Sequence, residues 1–329
     1  MSPWEFLVKD TQTKKIIMNL KIFLILIFFF IIKNNQLLAV EEFKIILKVE
    51  NEIITNVDLL NEKNYLIALN NEILNLPEKK FLLLAKNSIV KEKIKKNEIN
   101  KYFNKEYKYE NSETRLKDLS NKIGLNSTEE LKEYFLKFNL NLSFVEEKIK
   151  TEHMWSRLIY NKYKNQIDID VNELKNRLKI EITNNNNLVT EYNISEIQFN
   201  LNVGESLEQK YNQIINSINN DGFKVASNLY SVSETSKFGG KIGWINKTSM
   251  SRSILDELEK LNIGEITKPI KIRNLFLILK IEDKKESKIK IDFDKELKKL
   301  INIERNKQFN QFSLIYLNKI KQNIFISEQ

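Results

Sequence analysis

The stretch KFGGKIGWI at 237–245 holds three of the seven glycines of this 329-residue chain. Gly239, Gly240 and Gly243, beside Trp244, are the residues whose type and spacing first suggest chemistry. Glycine is needed where the backbone takes a positive φ or where another group must approach it closely. A phosphate cradle is excluded by spacing. A P-loop needs a Lys-Ser/Thr pair after its last glycine, and a dinucleotide fingerprint needs a different gap. The strand-like run KIGWI follows instead, so the plain reading is a Gly-Gly turn entering a half-buried strand.

Other catalytic parts are scarce. The chain has no cysteine, which excludes disulfides, zinc ribbons and thiol nucleophiles. Its one histidine is His153, so any Ser-His-Asp triad would have to include it, and a two-histidine metal site is impossible. His153 lies in TEHMWSRLIY, a helix-like segment with Met154, Trp155, Leu158 and Ile159 on its apolar side, and reads as a solvated or capping residue. No metal and no cofactor are expected. The net charge is +9, but lysines alternate with glutamates along helical stretches. That pattern describes solvated faces and not a nucleic-acid stripe.

The elements that must position the glycine stretch follow from periodicity and punctuation. Residues 43–49 and 53–55 read as strands. A helix capped by Asn56 or Asp58 runs to about Asn70. Pro77 opens a long helix to about Phe103, with Leu82, Leu83, Ile89, Val90 and Ile94 on one side. A helix over 113–123 is stopped by Gly124, and Ser127 with Glu130 has the spacing of a capping box. Helices follow at 143–165 and 170–182. The run NNNN at 184–187 marks a boundary, and beyond it the order changes. A strand covers Tyr192–Phe199, and helices cover Ser206–Ile218 and Phe223–Tyr230. After the glycine turn come a strand at 241–245, a helix at Ser253–Leu261, and strands at 265–272 and 275–281. The charged EDKKESKIK ends this module. The last segment is helical, with an apolar face of Leu297, Leu300, Ile301, Phe312, Ile315 and Leu317 that needs a partner. NIFI follows it.

Residues 18–39 have the form of a secretory signal peptide: Lys21, an apolar run from Ile22 to Ile32, and Ala39 at the end. Such a run is short of the ~20 apolar residues that span a bilayer. Translation is expected to begin at Met18, and the mature chain would be periplasmic in a Gram-negative cell. Retention of the leader as a membrane anchor is the alternative.

The order strand, two helices, GGxxGW, helix, GxxxxPI and strand resembles a parvulin-type (PpiC, or rotamase) peptidyl-prolyl cis-trans isomerase domain over about 188–283. Gly239, Gly240, Gly243 and Trp244, then Gly264, Glu265, Ile266, Pro269 and Ile270, then Phe276 to Ile281 carry the likeness. The opening ILKVENEIITNVDL with Asp58, the helices LNSTEELKEYF and EEKIKTEHMWSRLI, and the C-terminal helix with NIFI are similar to the SurA family of periplasmic chaperones. That family commonly carries two parvulin modules, and this chain has one.

The resemblance implies an α+β chain in four parts. A leader occupies 1–39 and a mostly helical chaperone domain 40–186. One parvulin domain, a four-stranded antiparallel sheet with surrounding helices, occupies 187–284. A helix in 285–329 packs back on the N-terminal domain. It implies that Gly239 and Gly240 shape a turn beside the substrate groove and that Gly243 lets the strand pass closely beneath it. Parvulins usually place a histidine in the first strand, and here Glu196 stands there. A second usual histidine matches Leu277, and an acidic or cysteine position matches Ser233. Glu196 and Ser233 are thus the polar catalytic candidates, and Trp244, Ile254, Leu258, Phe276 and Leu277 the substrate-binding ones. The expected function is a periplasmic folding factor for unfolded exported or outer-membrane proteins, with weak isomerase activity. Its partners would be those clients and transiently the membrane, with no nucleic acid or small-molecule cofactor. The alternative is a membrane-anchored, fully active isomerase.

Overall fold

The computed structural model describes residues 43–103, 112–184, 188–202, 204–272, 275–288 and 292–328. The leader expected at 18–39 lies outside the described residues. Among the described residues no helix is long and apolar enough to cross a membrane.

Strands β1 (Ile45–Val49) and β2 (Glu52–Thr55) form a hairpin. The chain's last strand, β7 (Ile326–Glu328), pairs with the free side of β1, with Val49 opposite Ile326. Helix α1 (Asn56–Leu69) starts with a reciprocal cap. Thr55, and not Asn56 or Asp58, is the N-cap: its hydroxyl accepts from the Asp58 amide at 3.2 Å, and the Asp58 carboxylate accepts from the Thr55 amide at 2.9 Å. Helix α2 (Glu78–Tyr102) follows Pro77. Helices α3 (Ser112–Lys122), α4 (Thr128–Leu136), α5 (Leu142–Tyr163) and α6 (Val171–Asn184) complete the first half. The expected capping box at α4 is half made. Ser127 accepts from the Glu130 amide, but the Glu130 carboxylate takes the Asn126 amide, one residue earlier than a box requires.

Helix α10 (Phe293–Lys321) completes this helical body. Its Tyr316 and Leu317 share one buried cluster with Leu47, Val49, Ile94, Trp155 and Leu158. Tyr163 stacks on Phe312 at 4.6 Å, and Trp155 donates to Ser313 at 2.7 Å. Leu297 and Leu300 pack against Leu174 and Leu178 of α6. Ile315, expected on the inward face, is 52% exposed. At about 3.6 residues per turn, burial of Tyr316 and Leu317 turns Ile315 outward. Leu83 on α2 is exposed for the same reason, while Phe81, Leu84 and Ala85 take the inward positions.

The buried charged residues Glu62, Lys95, Glu98 and Lys148 of this body are each paired. Lys148 of α5 reaches Glu62 of α1 and Glu92 of α2. Burial opposes ionisation of Glu92, yet Lys148 and Lys96 outweigh it and hold its carboxyl down from 4.5 to about 2. A depressed carboxyl stabilises the fold above its unfolded pKa, and that contribution fades as pH falls through the folded value. At about 1.36 kcal/mol per pH unit, roughly 3 kcal/mol should disappear between pH 5 and pH 2. Urea melts across that range should show it, and Glu92→Gln should flatten the slope. An unchanged slope in the variant would remove Glu92 from the account.

The second sheet is antiparallel in the order β4-β3-β6-β5. Its centre is β3 (Leu188–Phe199), flanked by β4 (Lys241–Asn246) and β6 (Leu275–Lys288), with β5 (Ile270–Ile272) outermost. Helices α7 (Leu207–Asp221), α8 (Phe223–Tyr230) and α9 (Arg252–Leu258) surround it. Two lengths differ from expectation. β6 continues through the charged run to Lys288, because its backbone keeps pairing with the start of β3. The strand expected from 265 begins only at Ile270. Pro269, which has no N–H, interrupts the ladder, although Thr267 still exchanges hydrogen bonds with Leu279.

The sheet module sits against the helical body. Val225 of α8 joins a cluster with Leu59, Leu66, Ile73 and Phe81. Asn70 donates to Asn228 at 2.6 Å, Lys80 pairs with Asp221 at 2.9 Å, and Lys224 pairs with Glu72 at 2.7 Å.

Candidate functional site

Glu196 sits in the second half of the central strand and is 6% exposed. The segment 231–240 wraps it. Ser233 donates to its Oε1 at 2.7 Å and Thr235 at 2.8 Å, and Gln198 donates to Oε2 at 2.7 Å. Its backbone is held as firmly. The Glu196 amide donates to the Gly240 carbonyl at 2.8 Å, and its own carbonyl accepts from Ser227 at 3.1 Å.

This clamp explains the glycine pair. Gly239 takes a left-handed conformation, φ +66°, that ends the short helical turn Glu234–Phe238. Gly240 has φ +80°, and a Cβ there would stand 2.3 Å from the Glu196 carbonyl oxygen and 2.6 Å from Ser227 Oγ. Both reasons for glycine thus apply at Gly240, and also at Gly239, where a Cβ would stand 2.7 Å from Lys224 Cβ. At Gly243 only one does. Its φ is +95°, at a bulge where Gly243 faces Ile194 and Lys241 faces Ser195, and nothing lies within 4 Å of its Cβ position. Close passage of the strand is therefore not its reason.

Strand alternation divides the expected substrate residues between two faces. Leu277 lies opposite Gln198 and packs with Tyr192, Ile194, Leu255, Leu258, Ile270 and Leu279, with Ile254 half-buried at the margin. Ile254, Leu258 and Leu277 are thus brought together on the side of the sheet that bears Glu196. Phe276 points the other way, stacked on Phe199 at 5.6 Å beside Ile197 and Ile214. Trp244 is also apart from the cluster. It is 41% exposed with Lys285 Nζ 4.2 Å from its ring centroid, while its neighbour Ile245 packs inward. His153 is half-buried in the middle of α5 and does not cap it, and burial, with the positive charge of Arg115, lowers its pKa.

Sequence reasoning did not single out Gln198 and Thr235. Gln198 was legible in principle, because it is two residues from Glu196 and shares its face. Thr235 reaches Glu196 only because 233–235 folds back over the strand.

A cleft of about 370 Å³ lies on the other side of this segment. Ser231, Val232, Ser236 and Lys237 form one wall, and Val90, Lys91, Ile94 and Leu317 of the helical body face them. Among the described residues no cluster of His, Cys, Asp and Glu could hold a metal ion.

Strand order, the glycine-bounded turn and the apolar face define the class as a parvulin-type domain in an α+β chain. Residues 200–283 match the rotamase family, the PPIC-type PPIASE domain. That match begins one residue after β3, so Glu196 precedes it. The chain is also similar to the chaperone SurA of Pseudomonas putida, with 26% identity over 153 residues. The alignment covers 44% of this chain, and the chain spans 36% of the length of that curated relative. Among solved structures, a PpiC-type peptidyl-prolyl cis-trans isomerase domain is 27% identical over 30% of this chain and 94% of its own, with a TM-score of 0.27. A SurA-like chaperone from Campylobacter jejuni is 17% identical over 83% of this chain and 93% of its own, also with a TM-score of 0.27.

Proposed function

We propose that this protein is an exported folding factor that binds unfolded outer-membrane or other exported proteins in the periplasm, and that its parvulin module is a weak isomerase. The leader sequence and the SurA homology support the compartment and the clients. The reading of activity rests on one observation. The apolar side of the sheet is complete, but the polar positions beside it hold a closed network of Glu196, Ser233, Thr235 and Gln198.

Prolyl isomerisation crosses a barrier of roughly 18–20 kcal/mol and needs no nucleophile or cofactor. The catalyst must bind the twisted bond better than either planar form. Here Ser233, Thr235 and Gln198 all direct their donors at Glu196 and not at the apolar face. Leu258 and Leu277 are buried in the core, which leaves the half-buried Ile254 at its margin to meet a proline ring. An apolar contact of that kind holds planar and twisted forms more equally, so it favours affinity over turnover. Loss of about 3 kcal/mol of interaction specific to the twisted state slows turnover about a hundredfold. The full chain should therefore catalyse isomerisation of a proline peptide at a hundredth or less of the rate of a histidine-bearing parvulin measured beside it. Glu196→His combined with Leu277→His should raise that rate. Brisk wild-type turnover, unchanged by Glu196→Ala, would overturn the weak-enzyme reading. Binding is tested separately, by suppression of aggregation of a urea-denatured outer-membrane protein as it is diluted. Failure to protect any such client would remove the chaperone role.

A further inference from the structure

Glu234 stands between Ser233 and Thr235, two of the three residues that hold the Glu196 carboxylate, and its own side chain points away from them, into the helical body. Lys95 of α2 donates to Glu234 Oε1 at 2.9 Å, and Lys91, one turn earlier, lies 3.2 Å from the same oxygen. Lys95 is completely buried, lies 5.7 Å from the Trp155 ring centroid, and also reaches Glu152 of α5. Lys237 closes the cluster, 2.8 Å from Glu152 and 3.8 Å from Glu234. Three lysines and two glutamates from both halves of the molecule thus meet at one point. Burial disfavours the charged form of Glu234, but Lys91, Lys95 and Lys237 more than compensate and hold its carboxyl well below the usual range. Lys237 is held well above its usual range by Glu152 and Glu234 against the same burial.

The segment is short and tightly tied. Ser233 and Thr235 grip the Glu196 side chain, while the Thr235 carbonyl accepts from the Gly240 amide at 2.9 Å and the Gly240 carbonyl accepts from the Glu196 amide at 2.8 Å. A shift of Glu234 therefore moves side-chain and backbone partners of Glu196 together. We propose that Glu234 is a positioning residue through which Lys91 and Lys95 of the helical body set the geometry of Glu196 in the parvulin module. This rests on the reading that Glu196 lies at the catalytic position.

Other contacts between the two halves supply the control. The Lys80–Asp221 pair also joins body to module, but it ends on α7 and touches none of 233–240. Three variants of the full chain, Glu234→Gln, Lys95→Met and Lys95→Arg, are compared with Lys80→Met. Hydrogen exchange at the Glu196 and Gly240 amides is read first. Glu234→Gln and Lys95→Met should exchange there at least tenfold faster, Lys95→Arg should restore most of the protection, and Lys80→Met should change it less than twofold. Peptide isomerisation is read second, and Glu234→Gln should lower kcat severalfold with KM little changed. Equal loosening by Lys80→Met and Glu234→Gln would mean general docking and would overturn the proposal. Unchanged exchange in Glu234→Gln would overturn it as well. Lys95→Met leaves Glu152 and Glu234 short of a partner and could unfold the body. Glu234 is partly exposed at the rim, so Glu234→Gln keeps the question open to refutation. Absence of isomerase activity in the wild type would end the catalytic reading of the site. The exchange measurements would still decide whether Glu234 holds Glu196 in place.

Discussion

Replacement of Gly240 by valine is expected to destabilise the four-stranded module strongly and leave the helical body's secondary structure standing. A β-branched residue at φ +80° is strained by roughly 1–2 kcal/mol, because its Cβ crowds the following carbonyl. The added atoms also meet rigid neighbours, since the site of the new Cβ is 2.3 Å from a backbone oxygen of the central strand. Such overpacking costs about 1–3 kcal/mol more. The sum is a large part of the roughly 5–15 kcal/mol by which a domain is stable. Gly243→Ala supplies the contrast. Its φ is as unfavourable, but its Cβ would enter open space, so only the conformational part, about 1–2 kcal/mol, should be lost. Trp155 reports on the body and Trp244 on the module, so urea melts of single-tryptophan forms separate the two. Loss of the Trp155 transition together with that of Trp244 at mild urea would show that the halves do not fold independently. A Gly240→Val module as stable as wild type would refute the steric account.

Removal of residues 290–329 should abolish the cooperative unfolding of the helical body. The deletion takes away β7, which pairs with β1, and the whole of α10. Leu297, Leu300, Leu314, Tyr316 and Leu317 leave the core with it. At about 1.5–3 kcal/mol for each large apolar side chain, the burial lost approaches the stability of a whole domain. Polar partners are lost as well. Trp155 Nε1 no longer has Ser313, and the buried Glu98 no longer has the Tyr316 hydroxyl. A group stranded in this way costs roughly a further 1–3 kcal/mol. The truncated chain should keep far-ultraviolet helical signal but melt without a sharp midpoint. Equal urea midpoints for the truncated and full chains would refute a shared core.

Much of this molecule is legible in its sequence, for reasons that are local. Pro77 and Gly124 mark helix ends because each restricts or permits particular backbone angles, whatever lies nearby. The cap of α1, expected at Asn56 or Asp58, is Thr55, and Asp58 is instead its reciprocal partner three residues on. The change of pattern after 184–187 marks a boundary, and the α+β class is what the resemblance of the residues beyond it to a parvulin domain implies. The apolar stripe expected on α10 includes Ile315, which the fold leaves exposed, because a stripe on a 29-residue helix does not say which edge its partner covers.

The chain by itself determined where its backbone must turn and which types of residue could serve as a site, since φ preference and side-chain period depend on near neighbours. Tertiary structure alone decided which side chains meet. Strand alternation puts Phe276 and Leu277 on opposite faces of β6, but the packing decided which core each joins, and it left Trp244 outside the apolar cluster. It brought Thr235 to Glu196 across 39 positions, and Lys95 to Glu234 across 139. A buried charge or hydrogen-bonding group must be paired wherever the fold places it, and its partner is chosen by the packing of distant elements, not by spacing along the chain.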